Sequence, residues 1–389
     1  MRVLHAVSTY LHISENWIYP QVVRVPNVKS RVVCNSVSNN EIFPLVSPLV
    51  LGKVPPWTHG LGIPRAFYAV AWRLGWREPL LELKLRWWRP QILHAHFGMR
   101  GWESLALRKR LKVPSITSFY GFDAWLIPRI EPVWQERYTE LFAAGDVFLV
   151  EGSAMRCRLL ELGCPTSKIC VHRIGVDLAA LPFAAKNFSD GLNVLMVGRF
   201  VEKKGLSDGL RACALARSCG VKLSVTIIGD AAPDDPVGQG IKTELYALSE
   251  SPELSGFVRF AGFLPLAETR LALASHNVFL CPSRHSANGD GEGGSPVVLT
   301  EAMASGLLCI GTWHCDIPEV ILNNKTGYLC GERDVNAMGN VLLNVSAAPE
   351  RQTKLTREAR QHIEQEFSLT RQLEKLYGVY ELSLKHAGL

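Results

Sequence analysis

Short apolar runs alternate with segments of helical spacing along nearly the whole chain, and this alternation restricts the fold more than any other feature. RVLHAVS, SRVVCNSV, ILHAHFG, SITSFYG and VFLVEGS read as strands in the first half; NVLMVGR, LSVTIIGD, VRFAGFL, NVFLCPS and LCIGTWH continue the pattern in the second. Strands this apolar are buried on both faces, as parallel strands under helices are. The expectation is an α/β chain with two Rossmann-like, doubly wound parallel sheets. At 389 residues and 47% hydrophobic content, the chain has the length and the apolar side chains for two or three cores. The polar segment AAKNFSDGLN, residues 184–193, is the expected linker, placing one domain at 1–185 and the next at 190–368. No internal repeat or low-complexity tract interrupts the pattern.

Composition excludes several classes. Ten cysteines are scattered with no CxxC pair and no histidines at zinc spacing, so they read as reduced thiols of a cytoplasmic protein. MRVLHAVSTY reads as a first strand and not as a signal peptide. No stretch approaches about 18 uninterrupted apolar residues, so no bilayer span is expected. Charge is uneven: residues 1–185 hold 22 Lys and Arg against 13 Asp and Glu, the remainder 20 against 23, and nine of ten tryptophans fall in the first half. AWRLGWREPLLELKLRWWRP, residues 71–90, concentrates both features. Such a helix suits an anionic membrane interface. It equally suits a surface helix whose tryptophans pack inward while its arginines snorkel.

Two segments carry the chemistry. In DGEGGSPVVLTEAMASG, residues 290–306, Glu292 and Glu301 flank a glycine pair and then Ser295-Pro296. Ser295 is a favoured N-cap and Pro296 suits the first helical position, so a helix is expected to start there. A glycine-rich loop ahead of a helix N-terminus attracts anions, and the glutamates suit the hydroxyls of a nucleotide-sugar diphosphate. The plainer alternative is a strand, a turn and a core helix with both glutamates solvated. In NVLMVGRF, residues 193–200, followed by VEKKGLSDGLRACALA, residues 201–216, Arg199 and Lys204 leave the C-terminal edge of a buried strand. Open α/β sheets bind ligands at that edge, and a guanidinium fork with a point charge suits diphosphate oxygens. Two solvated surface cations read the same way.

These segments carry a resemblance. GRFVEKKG, VTIIGD (225–230), VRFAGFL (258–264), NVFLCPS (277–283), EGGSPVVLTEAMASG and IPEVI (317–321) stand in the order of a retaining GT-B-fold glycosyltransferase of family 4, the sucrose-synthase-like set. LHAHFG (93–98), TSFYGFD (117–123) and HRIGVD (172–177) extend it, and ISENWIYPQV is similar to the Ser-Glu-Thr-Phe-Ile signature of members in bacterial polysaccharide assembly. The likeness covers about residues 1–345. It implies transfer of a hexose, with retention, from a UDP- or GDP-sugar to a saccharide acceptor, a lipid-linked oligosaccharide in polysaccharide biosynthesis. The implied catalytic residues are Arg199, Lys204, Glu292 and His96. Donor contacts fall to Gly293, Gly294, Ser295, Pro296, Glu301, Gly262 and Phe263, and acceptor contacts to Ser14, Glu15, Tyr120 and Asp123. The leaving phosphate accepts the acceptor proton on one face, so no protein nucleophile is needed. Arg199 and Lys204 neutralise the diphosphate in place of a divalent cation. No metal, other cofactor or nucleic acid is expected, and the enzyme is expected in the cytoplasm, peripheral on an anionic membrane face. A tail helix at about 369–389 is implied to pack back onto the first domain.

The chain departs from the family pattern at two places. Eight residues separate Glu292 from Glu301 where seven are usual, which puts Gly293 at the usual acidic position unless the extra residue bulges and leaves Glu292 in place. Tyr120 stands where histidine is frequent. His94 and His96 alternate on one strand, each seen from one side of the sheet, with His96 the better match to the family's cleft-facing histidine. Asp123 reads as an acceptor ligand or as a helix cap, Glu15 as a cleft residue or a helix-start charge, and His314 as part of a structural turn. Other readings are a GT-B-fold sugar-nucleotide epimerase, a phosphorylase-like enzyme needing pyridoxal phosphate on a lysine, and a catalytically silent scaffold.

Overall fold

The computed structural model of the chain describes residues 1–45, 49–50 and 85–388. Strands in the first half are β1 (Arg2–Ala6), β2 (Thr9–Tyr10), β3 (Lys29–Cys34), β4 (Ser36–Val37), β5 (Leu49–Val50), β6 (Ile92–His96), β7 (Ser115–Ser118), β8 (Val147–Val150) and β9 (Ile169–Val171). Those of the second are β10 (Leu192–Val197), β11 (Leu223–Ile228), β12 (Val258–Gly262), β13 (Val278–Cys281), β14 (Leu308–Thr312) and β15 (Tyr328–Cys330). Among the described residues they form one parallel sheet in the order β5-β3-β1-β6-β7-β8-β9 and another in the order β12-β11-β10-β13-β14-β15, with β2 and β4 paired separately. Both large sheets are doubly wound. Strand order reverses at β1/β6 in one and at β10/β13 in the other, and ligands of such sheets bind at the C-terminal ends beside the reversal.

Alternate side chains of the second sheet feed two cores. Val194, Met196, Val225, Ile227, Leu280 and Ile310 join one cluster with Leu210 and Ala216 of the helix Leu206–Ser218 and with Leu342 of the helix Val335–Ala347. Leu195, Ile228, Phe279 and Cys309 face the other way, onto Leu299 and Met303 of the helix Val297–Ala304 and Ile363 of the helix Pro349–Glu366. This two-faced burial explains why the strands read as unbroken apolar runs. The sheet is thereby a rigid platform for the loops at its edge.

Two compact units result: Met1–Gly175 with Thr370–Leu389, and Val176–Leu369. The segment 184–193, expected as a linker, lies inside the second unit. Phe188 there is 3% exposed, and Asn277 Nδ2 donates to the Asn187 carbonyl at 2.7 Å and the Gly191 carbonyl at 2.9 Å. Its polar composition reflects backbone satisfied by side chains and not a connector. The C-terminal helix Leu369–His386 packs with the first unit: Tyr380 hydroxyl lies 2.8 Å from His94 Nδ1, and His172 Nε2 donates to the Gln372 carbonyl at 2.9 Å. No helix among the described residues is long and apolar enough to cross a membrane.

Candidate active site

In the second unit the reversal point gathers cations and a carboxylate. Lys204 ends the turn after β10, and Gly205 behind it has φ +60. A Cβ at Gly205 would collide with the Pro282 carbonyl, so glycine lets this turn close against the exit of β13. Lys204 Nζ reaches both oxygens of Glu292 at 2.9 Å, and Ser283 Oγ donates to Glu292 Oε1 at 2.7 Å. The Glu292 side chain is only 7% exposed. Burial opposes its charge, but Lys204 and Lys203, with the hydrogen bonds, overcome that and hold the carboxyl at about 2. Arg199 is exposed and makes no ion pair among the described residues.

The loop carrying Glu292 is fixed from two sides. Buried Lys203 donates to the Gly291 carbonyl at 2.9 Å and pairs with Asp290 at 3.0 Å. Buried His314 donates from Nδ1 to Glu332 at 2.8 Å and accepts the Glu292 N–H at Nε2, 3.0 Å away. His314 therefore does more than complete a turn: it orients the backbone that presents Glu292. Gly293 follows with φ +82, a left-handed turn that glycine adopts freely, and Glu292 before it points onto Lys204.

The helix after this loop begins later than the sequence predicts. It spans Val297–Ala304 with Pro296 at the N-cap and no side-chain cap bond. Ser295 precedes a proline, which disfavours the helical region for it, and its buried hydroxyl has no hydrogen-bond partner. Glu301 lies on this helix, 9% exposed, and its carboxylate accepts no hydrogen bond from the described residues. Burial pushes it up to about 7 against the lowering effect of Arg270. Gly294 is buried in the loop, Gly262 has φ +66 at the end of β12, and Phe263 beside it is 65% exposed.

The first unit has its own polar chain at β1/β6. Ser30 Oγ, His5, His96 and the Tyr120 hydroxyl are linked in series at 3.4, 3.1 and 2.8 Å. His94 is bonded to Ser118 and Tyr380, both at 2.8 Å. His94 and His96 share one face and stack with centroids 4.4 Å apart, which corrects the expectation that they split between faces: residues two apart on a strand point the same way. Burial drives His5 down to about 3, and His94 and His96 well below the usual histidine range, so the cluster is neutral. His96 is fully buried and hydrogen-bonded to His5 and to half-buried Tyr120, so among the described residues it offers no exposed nitrogen of its own.

Asp123 is also fully buried, accepting the N–H groups of Gly98 at 2.8 Å and of Tyr120 and Gly121 at 3.0 Å. It ties two loops together, while the helix Phe122–Trp125 has Gly121 at its N-cap and no side-chain cap bond. Ser14 is exposed and Glu15 half-buried in the short 3-10 turn Ile13–Glu15. Of the basic aromatic stretch 71–90, residues 71–84 lie outside the described residues. Trp87 is 87% exposed, whereas Trp88 packs against the cluster of the first unit's core that holds Leu4, Val33 and Leu93, beneath Arg31, 5.1 Å from its ring.

Comparison with known proteins adds to this geometry. Residues 26–180 match the family model described as Glycosyltransferase Family 4, and residues 180–362 that described as Glycosyl transferases group 1. WcaL of Escherichia coli (strain K12), whose name places it as a glycosyltransferase of colanic acid biosynthesis, is 33% identical over 72% of this chain and 68% of its own. The chain belongs to glycosyltransferase family 4. The amylovoran biosynthesis glycosyltransferase AmsK of Erwinia amylovora is 32% identical over 71% of this chain and 66% of its own. Anabaena HepE, solved in complex with UDP, superposes with a TM-score of 0.79 over 98% of this glycosyltransferase and 100% of HepE at 13% identity, so the fold is GT-B.

The contacts of Lys203, Ser283 and His314 escape sequence reasoning, which reads His314 only as part of a structural turn. Lys203 stands in the same EKK run as Lys204, and nothing in the run separates the inward cation from its neighbour. Ser283 ends the NVFLCPS strand motif, whose signal is apolar. His314 gave no motif beyond one histidine before a cysteine.

Proposed function

We propose that the chain is a retaining, metal-independent hexosyltransferase that takes a UDP- or GDP-sugar in its second unit and a saccharide acceptor, lipid-linked, at its first. The observation that carries this reading is Glu292 held between Lys204 and Ser283 at the strand-order reversal. Both carboxylate oxygens are engaged, so Glu292 serves as a fixed hydrogen-bond acceptor for sugar hydroxyls and not as a nucleophile. Lys204 and exposed Arg199 then receive the diphosphate and stabilise its developing charge. The departing phosphate oxygen takes the acceptor's proton as the new glycosidic bond forms on the same face. Glu301, a buried acceptor lacking a donor, suits the ribose hydroxyls, and exposed Phe263 offers a ring to the base. The relatives' names point to polysaccharide biosynthesis, and a lipid-linked acceptor fits the basic first unit with Trp87 exposed, a peripheral site at an anionic membrane face.

The test begins with thermal shift against a panel of UDP- and GDP-sugars, where one selective hit fixes the donor. With that donor, Arg199→Ala and Lys204→Ala each lower turnover by about 10²-fold or more, the scale of one preorganised electrostatic donor. A chelator leaves turnover intact, the product anomer matches the donor's, and anionic vesicles bind the protein less as salt rises. Near-normal turnover in either variant removes that residue from the site; chelator-sensitive turnover or an inverted product overturns the corresponding part of the reading.

A further inference from the structure

Beside Glu292 three ligating side chains converge from two loops. His285, after β13, and His314 and Cys315, after β14, each offer one ligand atom, and those atoms lie within 4.8 Å of one another. Glu332 arranges them: its Oε1 accepts from His314 Nδ1 at 2.8 Å and from His285 Nδ1 at 2.9 Å. Carboxylates behind imidazoles fix the tautomer and direct Nε2 toward a metal. Cys315 has φ +46, unusual for a residue with a Cβ, and its sulfur lies 3.2 Å from His314 Nε2. Gly291 faces the same point: a Cβ there would stand 3.2 Å from Cys315 Sγ, 3.4 Å from His314 Cε1 and 3.5 Å from His285 Cδ2.

We propose that His285, His314 and Cys315 bind a soft divalent cation such as zinc, and that occupation releases the Glu292 loop from His314. Imidazole nitrogens with one thiolate suit zinc, and three protein ligands leave a fourth position for solvent. The His285 side chain is 40% exposed and provides the way in. The histidines of the first unit make an instructive contrast. His5, His94 and His96 also approach one another, but all three are fully buried, with no exposed member to admit an ion.

On binding, the Cys315 S–H bond breaks, its electron pair goes to the cation and its proton to solvent. His314 Nε2 gives its lone pair to the cation and ceases to accept the Glu292 N–H. The cation is thus inhibitory, and it is distinct from the metal-free neutralisation of diphosphate by Arg199 and Lys204.

Titrating the metal-free full-length protein with Co²⁺ tests the site without any assay of activity. The expected result is a near-ultraviolet thiolate-to-cobalt band that Zn²⁺ displaces and that Cys315→Ser abolishes while its melting temperature stays unchanged. Glu332→Gln weakens Zn²⁺ by about 10- to 100-fold, as loss of a carboxylate behind metal-binding imidazoles does. His285→Ala, at a half-exposed position, weakens it as well. Hydrogen exchange of amides 290–294 rises with Zn²⁺ in the wild type and not in Cys315→Ser. No thiolate band, a band that survives Cys315→Ser, or unchanged affinity in His285→Ala overturns the site; unchanged exchange overturns its coupling to Glu292.

Discussion

If Glu301 meets the ribose as proposed, one buried carboxyl links burial, protonation and nucleotide affinity. Burial raises it from 4.5 to about 7 against the opposing charge of Arg270. Hydroxyl groups donate more strongly to a carboxylate than to a neutral acid, so ribose binding favours the ionised form. UDP affinity should therefore rise as pH climbs through about 7, and Glu301→Gln should lack that component and bind about tenfold or more weakly above it. Stability runs the other way. The unfolded chain ionises near 4.5 while the folded one keeps its proton to about 7, so this group's contribution is full below 4.5 and falls away between the two values. Glu301→Gln should remove that decline, raising the melting temperature relative to wild type at alkaline pH. Calorimetry of UDP binding across pH decides the matter: an identical profile in wild type and variant removes Glu301 from the donor site. Lys204 and Glu292, which the structure brings together, were marked in the sequence by type and place. Lys203 and His314 act through buried contacts with a loop that only the fold brings to them.

Elements were legible where burial leaves a long pattern. The strands β10, β11, β13 and β14 show unbroken apolar runs because both faces are covered. Strands β9 and β15, of three residues each, are too short to show a period. The start of Val297–Ala304 was displaced because Pro296 occupies the cap position that Ser295 was expected to fill. Asp123 shows how one side chain joins elements. Its carboxylate takes N–H groups from the helix start at Gly98 and from the turn after β7 at Tyr120 and Gly121. Asp123→Ala would leave three buried donors unpaired, at about 1–3 kcal/mol each where water does not reach them. The expected loss is about 3 kcal/mol or more by denaturant unfolding, with Tyr120 displaced as a consequence. A loss below about 1 kcal/mol would mean that water or a neighbour replaces the carboxylate, and the account of Asp123 as a tie between the two loops would fail.

For the whole molecule, the order of the chain and the composition of its units disagree. The first unit ends at Gly175, the second occupies Val176–Leu369, and Thr370–Leu389 returns to the first. The periodicity of SLTRQLEKLYGVYELSLKH announces a helix, but what that helix packs on is a long-range fact that no local pattern encodes. Its anchor is Tyr380, fully buried, whose hydroxyl meets His94 Nδ1 at 2.8 Å in the polar chain behind β6. Burial keeps His94 neutral, so it can exchange a hydrogen bond here without a charge to solvate. Tyr380→Phe keeps the ring and removes only the hydroxyl, leaving one imidazole nitrogen unpaired. The expected cost is about 1–3 kcal/mol, confined to the first unit. Amide exchange should then quicken in β6 and in the helix Leu369–His386 while β10 and β13 keep their protection. Truncation after Leu369 removes the anchor altogether and should lower the unfolding midpoint of the first unit further, and residues 1–175 joined directly to 370–389 should regain it. If exchange in β6 is unaltered by Tyr380→Phe, the tail helix is held by its apolar face alone, and the hydroxyl adds nothing to the closure of the first unit.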